Sequence, residues 1–141
     1  MPGTPCIGAP IHWPAPTPGT RNPPMKLTGL IPMLPVKSMP ASVAFYEQLG
    51  FEVEDRQDAW RWAMMRFGEY RLMLDESINV HPALPRMGVL YLYPEDIVAY
   101  HRQVRERGLT VPELETTFYG MTEFRIDDPD GNRLWIGQEL G

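Results

Sequence analysis

The stretch MTEFRIDDPDGNRLWIGQEL, residues 121–140, has the pattern of two strands joined by a tight turn. Apolar and polar residues alternate on either side of DDPDGN, which holds the proline, glycine, aspartate and asparagine that favour chain reversal. If Trp135 points to one face of the sheet, alternation places Leu134 and Ile136 on the other face. The stretch therefore predicts a hairpin with one face against the core and one face that carries Trp135.

The segment nearer the start predicts one strand, one helix and three further strands. Residues 28–37 alternate as a strand does, Ser38 is a typical helix N-cap, and Gly50 is a typical helix end. Residues at helical spacing between them, which we expect to face the core, are Ser42, Phe45, Tyr46 and Leu49. FEVED, WRWAMMRFG and YRLMLDE are strand-like, and Pro82 with Pro85 marks a break after them.

The second half of the chain repeats this order. MGVLYLY is strand-like, and PED at 94–96 opens a helix that Gly108 ends. Its positions at helical spacing are Ile97, Tyr100, His101 and Val104. We expect a short strand over 109–111 and a loop over 112–119 before the hairpin. SVAFYEQLGF matches IVAYHRQVRERGL at an offset of 55 residues, so a βαβββ module is predicted to occur twice.

Composition places both modules in one globular domain behind a proline-rich tail. Of 141 residues, 43% are hydrophobic and 22% are charged, which is typical of a folded domain. Eight of the 16 prolines lie within residues 1–24, which show no periodicity. We therefore expect a disordered tail over 1–25 and a single domain over 26–141, with modules at about 27–80 and 86–139.

Charge and cysteine content narrow the classes of function. The net charge of -5 gives no basic patch for nucleic acid or for an anionic membrane surface. No apolar run approaches the roughly 20 residues that span a bilayer. The one cysteine, Cys6, cannot form an internal disulfide, so an oxidising compartment is not indicated. We expect a soluble cytoplasmic protein that binds a small molecule, with a weak preference for cations.

Two stretches in register with the repeat resemble a known superfamily. PVKSMPASVAFYEQLGFEV, residues 35–53, and GMTEFRIDDPDGNRLWIGQ, residues 120–138, are similar to the vicinal oxygen chelate superfamily. Its members include glyoxalases, extradiol dioxygenases, fosfomycin-modifying enzymes and bleomycin-resistance proteins. The resemblance runs from about residue 27 to residue 139. It implies an α+β fold in which two βαβββ modules form a curved mixed sheet, with helices on the convex face, ligands on the concave face, and a homodimer.

The resemblance also indicates where the enzymes of this superfamily hold a metal ion. The residues that align with their ligands are Ile31, Met73, Val89 and Trp135. None supplies the oxygen or imidazole ligand that a divalent cation takes, and a thioether is too soft for magnesium, manganese or non-haem iron. We therefore expect no metal ion and no other cofactor. Trp135 would replace a carboxylate with an aromatic surface.

Strand alternation selects the residues that we expect to line the concave face. It places Tyr91, Tyr93 and Arg133 beside Trp135, and it leaves the facing of Trp60 and Trp62 undetermined. The loop over 112–119, which we call the rim loop, adds Phe118 and Tyr119. The candidate ligand-binding residues are therefore Trp60, Trp62, Met73, Asp75, Tyr91, Phe118, Tyr119, Glu123, Arg125, Arg133 and Trp135. Such a set suits a flat, partly aromatic ligand with polar ends.

Other interpretations of the same residues remain open. The aromatic and methionine side chains also suit a packed core. Glu123 and Arg125 also suit a cross-strand ion pair on a wet surface. The acidic residues of the hairpin, Asp127, Asp128 and Asp130, suit a turn better than a calcium site, because the other ligands of a calcium loop are missing. His101 has the position of a packing residue.

We interpret the chain as a metal-independent small-molecule binding protein of the bleomycin-resistance type. By the resemblance, it would sequester a cationic or aromatic antibiotic or metabolite in a dimer cleft, with no catalytic residue. An enzyme of glyoxalase, dioxygenase or lyase type remains an alternative, with Glu123 or His81 as the base. A ligand-responsive or purely structural partner protein is the third possibility.

Overall fold

Two βαβββ modules follow one another along the chain, as the repeat predicts. The computed structural model describes residues 25–79, 81, 83–84 and 88–140, so the tail expected over 1–24 lies outside the described residues. Residues 25–30 have no regular secondary structure and expose their side chains. The compact unit that holds both modules starts at Ile31.

Each module forms a mixed sheet of four strands with one helix. The elements of the first module are β1 (Met33–Pro35), α1 (Met39–Leu49), β2 (Glu52–Gln57), β3 (Trp62–Phe67) and β4 (Tyr70–Asp75). The elements of the second module are β5 (Val89–Leu92), α2 (Ile97–Glu106), β6 (Glu115–Thr116), β7 (Met121–Asp127) and β8 (Arg133–Glu139). The strand orders are β1-β4-β3-β2 and β5-β8-β7-β6. The predicted α+β fold is confirmed.

Three boundaries predicted from the sequence are wrong. The first strand is limited to β1 within the predicted 28–37, and Pro32, which has no N–H to donate to a ladder, lies directly before it. Trp60 ends a single 3-10 turn, after which Arg61 takes a left-handed conformation with φ of 55°. Residues 109–111 form no strand, and the short strand is β6 instead. Leu109 and Val111 are half-buried against the core, which explains their apolar character.

The core lies where the helices cover one face of the two sheets. Helix α1 begins as predicted, with the Ser38 side chain accepting a hydrogen bond from a first-turn N–H, and it ends at Gly50 with φ of 110°. The predicted core-facing residues of both helices are buried, except that Phe45 is half-buried. Leu134 and Ile136 are also buried, as alternation predicts. In the described part of the chain, neither helix has the length and apolarity needed to cross a membrane.

The DPDGN turn of the second module is anchored to α1 by a buried carboxylate. Asp128 Oδ1 accepts hydrogen bonds from the backbone N–H groups of Asp130 and Asn132, both at 2.9 Å. Its Oδ2 accepts from the Tyr46 hydroxyl of α1 at 2.7 Å. Burial, and then the charge of Asp128, raise the pKa of Tyr46, so its phenol stays a donor at neutral pH. The Asp128 carboxylate therefore has a turn role.

Asp130 strengthens the same joint between the modules. Its carboxylate accepts hydrogen bonds from the backbone N–H of Lys37 at 2.8 Å and from the Ser42 hydroxyl at 3.2 Å. Both donors belong to the first module, whereas Asp130 belongs to the second. Because Asp130 is buried, loss of either partner would leave a desolvated charge under-paired.

Replacing Asp128 with alanine is expected to lower the free energy of unfolding by about 3 kcal/mol, because it leaves buried donors unpaired. Urea unfolding at neutral pH measures this change. Asp127→Ala is the matched control, since Asp127 pairs with Arg133 at the surface and its side chain is 56% exposed. The control is expected to change stability by less than about 0.5 kcal/mol. Equal losses in both variants would contradict the role given to Asp128.

Candidate ligand-binding site

Cross-strand register brings three predicted site residues side by side on the second sheet. Tyr91 of β5 lies opposite Trp135 of β8, and Trp135 lies opposite Arg125 of β7. All three point to the face away from the buried Leu134 and Ile136, which we call the distal face. Three strands therefore place an aromatic pair and a cation in one row.

Glu123 completes this group as a buried anion. Glu123 as a whole residue is only 1% exposed to solvent. One carboxylate oxygen accepts a hydrogen bond from the Tyr91 hydroxyl at 2.7 Å. The other accepts from the Tyr119 hydroxyl and from Arg125, whose Nη2 lies at 2.9 Å and Nε at 3.2 Å. We call Tyr91, Tyr119, Glu123, Arg125 and Trp135 the Glu123 cluster.

These contacts fix the charge states of the cluster. Burial raises the pKa of Glu123, but hydrogen bonds from Tyr119, Tyr91 and Arg125 outweigh burial and hold that pKa below its ordinary value. The hydrogen bond to Glu123 in turn raises the pKa of Arg125. Burial, followed by the hydrogen bond to Glu123, raises the pKa of Tyr91. At neutral pH Glu123 is thus a fixed anion, whereas a general base needs a pKa near the working pH.

Arg125 and Trp135 are stacked beside this anion. The guanidinium carbon of Arg125 lies 4.0 Å from the centroid of the Trp135 ring, a cation–π distance. Tyr91 meets Trp135 edge to face at 5.7 Å, and it stacks on Tyr93 at 4.6 Å with an interplanar angle of 4°. The Trp135 indole N–H is buried without a hydrogen-bond partner among the described residues. The site therefore combines an aromatic surface, the buried anion Glu123 and the guanidinium cation of Arg125.

Gly137 permits the close approach on which the cluster depends. It lies opposite Glu123 in the β7–β8 ladder. A Cβ atom at this position would lie 2.8 Å from Glu123 Cβ and 3.2 Å from the backbone oxygen of Thr122. Any larger side chain would push Glu123 away from its partners. A glycine inside a strand pattern is the sequence signal for such an approach.

The interpretation of Glu123 and Arg125 as a cross-strand surface pair is wrong. The two residues lie two positions apart on the same strand, β7, and they share its distal face. The Glu123 side chain is 2% exposed, whereas that of Arg125 is 42% exposed. The pair is therefore a buried carboxylate with a partly exposed cation, and not two solvated charges.

The facing of β3, which the sequence leaves open, follows from its burial pattern. Ala63 and Met65 are fully buried against the core. Trp62 and Met64 alternate with them, so they point away from the core. We call this the distal face of the first sheet, and on it Met64 lies opposite Met73 of β4. Trp62, Met64 and Met73 thus share this face with the charged Arg66, Arg71 and Asp75.

Two further predicted site residues of the first module are engaged elsewhere. Asp75 lies opposite Trp62, but its Oδ1 accepts hydrogen bonds from the N–H and hydroxyl of Ser77, at 2.8 and 2.7 Å. Trp60 is 63% exposed in the 3-10 turn. Its ring centroid lies 6.3 Å from that of Trp62, and the two ring planes are tilted by 52°. Both residues belong to the first module, whereas the Glu123 cluster belongs to the second.

The remaining predicted residues of the second module lie at its margin. Arg133 pairs with Asp127 across the hairpin at 3.1 Å, and both side chains are more than half exposed. Phe118 is fully exposed in the rim loop, where its ring meets that of Tyr119 edge to face at 5.0 Å. Tyr119 connects this rim to the cluster through its hydroxyl, which contacts Glu123 and Arg125.

The two histidines of the domain have structural or solvated positions. His101 is buried, its Nε2 lies 2.8 Å from the carbonyl oxygen of Pro112, and its ring meets Phe124 at 5.1 Å. The predicted packing position of His101 is confirmed. His81 is exposed in the segment between the modules.

Comparison with known proteins connects this architecture to a family. The model of the Glyoxalase/Bleomycin resistance protein/Dioxygenase superfamily matches residues 30–136. A bleomycin resistance protein of Klebsiella pneumoniae is 29% identical over 120 residues, which cover 76% of this chain and 89% of that protein. Two solved structures share the fold. One is a bleomycin resistance determinant encoded on a transposon, with 25% identity, a TM-score of 0.65, and coverage of 80% of this chain and 98% of that one. The other is a bleomycin-binding protein complexed with bleomycin, with 24% identity, a TM-score of 0.63, and coverage of 80% and 99%.

The charge of Glu123 is expected to make stability depend on pH. Because its folded pKa is lowered, the carboxylate adds stability above the unfolded glutamate pKa of about 4.3, and this is lost as pH falls through the folded pKa. Chemical unfolding of the parent and of Glu123→Gln, from neutral pH down through the folded pKa of Glu123, measures the difference between their free energies of unfolding. The advantage of the parent should shrink as pH falls. An advantage that grows on acidification would contradict the charge state assigned here.

Proposed function

The chain belongs to the glyoxalase/bleomycin resistance protein/dioxygenase superfamily, and from this membership and its Glu123 cluster we propose a metal-independent small-molecule binding protein of the bleomycin-resistance type. The protein sequesters a cationic or aromatic antibiotic or metabolite without changing it chemically. The observation that carries this proposal is the buried Glu123 carboxylate beside the rings of Tyr91 and Trp135. The names of its bleomycin-resistance relatives support the ligand type.

The residues at the metal positions of the superfamily do not fit a divalent cation. Those positions, by the sequence resemblance, hold Ile31, Met73, Val89 and Trp135. Their side chains offer a thioether at most, whereas Mg²⁺ and Mn²⁺ take oxygen ligands and non-haem iron takes imidazole and carboxylate. Within the described ranges, no group of three or more His, Cys, Asp or Glu residues could hold a metal ion. The donor chemistry therefore favours binding over metal-dependent catalysis.

The aromatic surface around the cluster suits a ligand that stacks. Tyr93 is 70% exposed, and one face of its ring is already covered by Tyr91. Its other face is available to a planar group, for which aromatic contact is worth about 0.5–1.5 kcal/mol beyond area burial. Glu123, at the centre of the cluster, attracts the positive end of such a ligand. The formal net charge of -5 acts in the same direction.

We also propose that the binding cleft forms between two copies of the chain. The homodimer is implied by the superfamily resemblance. Apolar side chains on the distal faces support it, because Met33 is 41% exposed and Val89 is 54% exposed. A second copy would cover such surface and would enclose the ligand between two distal faces.

Trp135→Ala is expected to weaken binding of bleomycin about 5- to 150-fold, because it removes aromatic contact worth about 1–3 kcal/mol. Calorimetric titration of the purified protein measures the affinity. Val98→Ala is the control. Val98 is an exposed apolar residue of α2, and the helices cover the face of the sheets opposite the Glu123 cluster. The control should bind as the parent does.

Two results would contradict the proposal in different ways. If the parent binds bleomycin and Trp135→Ala binds it equally well, the Glu123 cluster is not the site. If the dialysed parent carries stoichiometric metal by mass spectrometry and turns over a glyoxalase-type substrate, the enzyme alternative replaces sequestration. A chelator-treated parent that retains full affinity for bleomycin is the expected outcome.

A further inference from the structure

The Glu123 cluster already holds a planar cation, and that cation is part of the chain. The Arg125 guanidinium lies 4.0 Å over the Trp135 ring, and it donates to Glu123 from Nη2 at 2.9 Å and from Nε at 3.2 Å. Its Nη2 also lies 2.8 Å from the Tyr119 hydroxyl oxygen. We infer that the cluster is a seat for a guanidinium or amidinium group, and that Arg125 occupies this seat until the ligand's own planar cation replaces it.

The geometry of the seat selects a planar cation over an ammonium ion. Trp135 covers one flat face of the guanidinium, while Glu123 and Tyr119 accept hydrogen bonds at its edge. A planar cation can present its face to an aromatic ring and its N–H groups to acceptors at its edge at the same time, since those N–H groups lie in its own plane. A tetrahedral ammonium is strongly hydrated and cannot match both surfaces in this way. This inference rests on the proposed function, because it names the ligand chemistry for the same site.

Arg125 is the partner that can leave, and Glu123 is the partner that stays. The Arg125 side chain is 42% exposed, against 2% for Glu123. The second carboxylate oxygen of Glu123 accepts a hydrogen bond from the Tyr91 hydroxyl of β5, two strands away, which holds the anion in place when Arg125 moves. Tyr119 is 45% exposed, so the rim side of the seat borders solvent.

Charge balance decides which ligands can displace Arg125. Departure of the guanidinium without a replacement would leave Glu123 buried and without its cation, which is strongly unfavourable. A ligand with a planar cation restores the pairing, whereas a neutral aromatic ligand does not. Arg125 therefore competes with the ligand, and the apparent affinity falls by the fraction of time that Arg125 fills the seat.

Small probes test this competition directly. Benzamidine carries an amidinium on an aromatic ring, benzylamine carries an ammonium on the same ring, and benzamide is the neutral isostere. Arg125→Ala is expected to bind benzamidine at least about tenfold more tightly than the parent by calorimetry, since the seat is vacated. Benzylamine and benzamide should show no comparable gain. The double variant Arg125→Ala with Glu123→Gln should lose the gain.

Arg125→Lys supplies a second variant in case alanine prevents folding. Lysine keeps a positive charge but loses the planar fork and the stacking on Trp135. It should therefore give way to benzamidine more readily than arginine does, with an affinity between those of the parent and the alanine variant. If the folded variants bind benzamidine no better than the parent, or if benzamide gains equally, the inference is overturned.

Bleomycin titration separates this inference from the proposed function. If the parent binds bleomycin while Arg125→Ala gains nothing for benzamidine, only the seat is overturned. If Arg125→Ala takes up benzamidine with the expected preference while the parent ignores bleomycin, the seat stands and the proposed ligand type falls.

Discussion

The buried carboxylate of Asp128 joins the two modules, and the arrangement of the hairpin depends on it. It holds the turn backbone on one side and the Tyr46 hydroxyl of α1 on the other. Because this turn connects β7 to β8, it helps to fix the register in which Arg125 lies beside Trp135. The acidic residues of the turn thus support the fold, and the candidate site is built on the two strands that the turn connects.

A second buried carboxylate gives that site its character. Glu123 requires partners because an unpaired buried charge is costly, and it receives them from two strands, β5 and β7, and from the rim loop. Gly137 supplies the space opposite it. The result is a permanent anion beside Trp135. By the sequence resemblance, Trp135 itself stands at a position where the enzymes of the superfamily hold a metal ligand. We propose that binding, and not bond breaking, is the chemistry that this arrangement supports.

Local sequence signals were sufficient for much of this architecture. The Ser38 cap, the Gly50 stop and the repeated order predict both modules, and alternation places Glu123, Arg125 and Trp135 on one face. The hydrogen bond between Tyr91 and Glu123 could not be predicted, because it requires β5 to lie beside β8, and strand order is not a local property. The prediction that Trp60 shares a strand with Trp62 was wrong for a local reason. Arg61 between them takes a left-handed conformation, so the strand begins only at Trp62. Leu109 and Val111 resemble a strand only because they pack against the core.

The most direct measurement is an NMR titration of ¹⁵N-labelled, chelator-treated protein with bleomycin. The chain has four tryptophans, so four indole N–H signals can be followed together with the arginine Nε–H signals. We predict saturable shifts of the Trp135 indole and of the Arg125 Nε–H beside it, because the ligand contacts this pair. Shifts confined to the other three tryptophans, or a Trp135 shift that appears only after a divalent cation is added, would contradict the account.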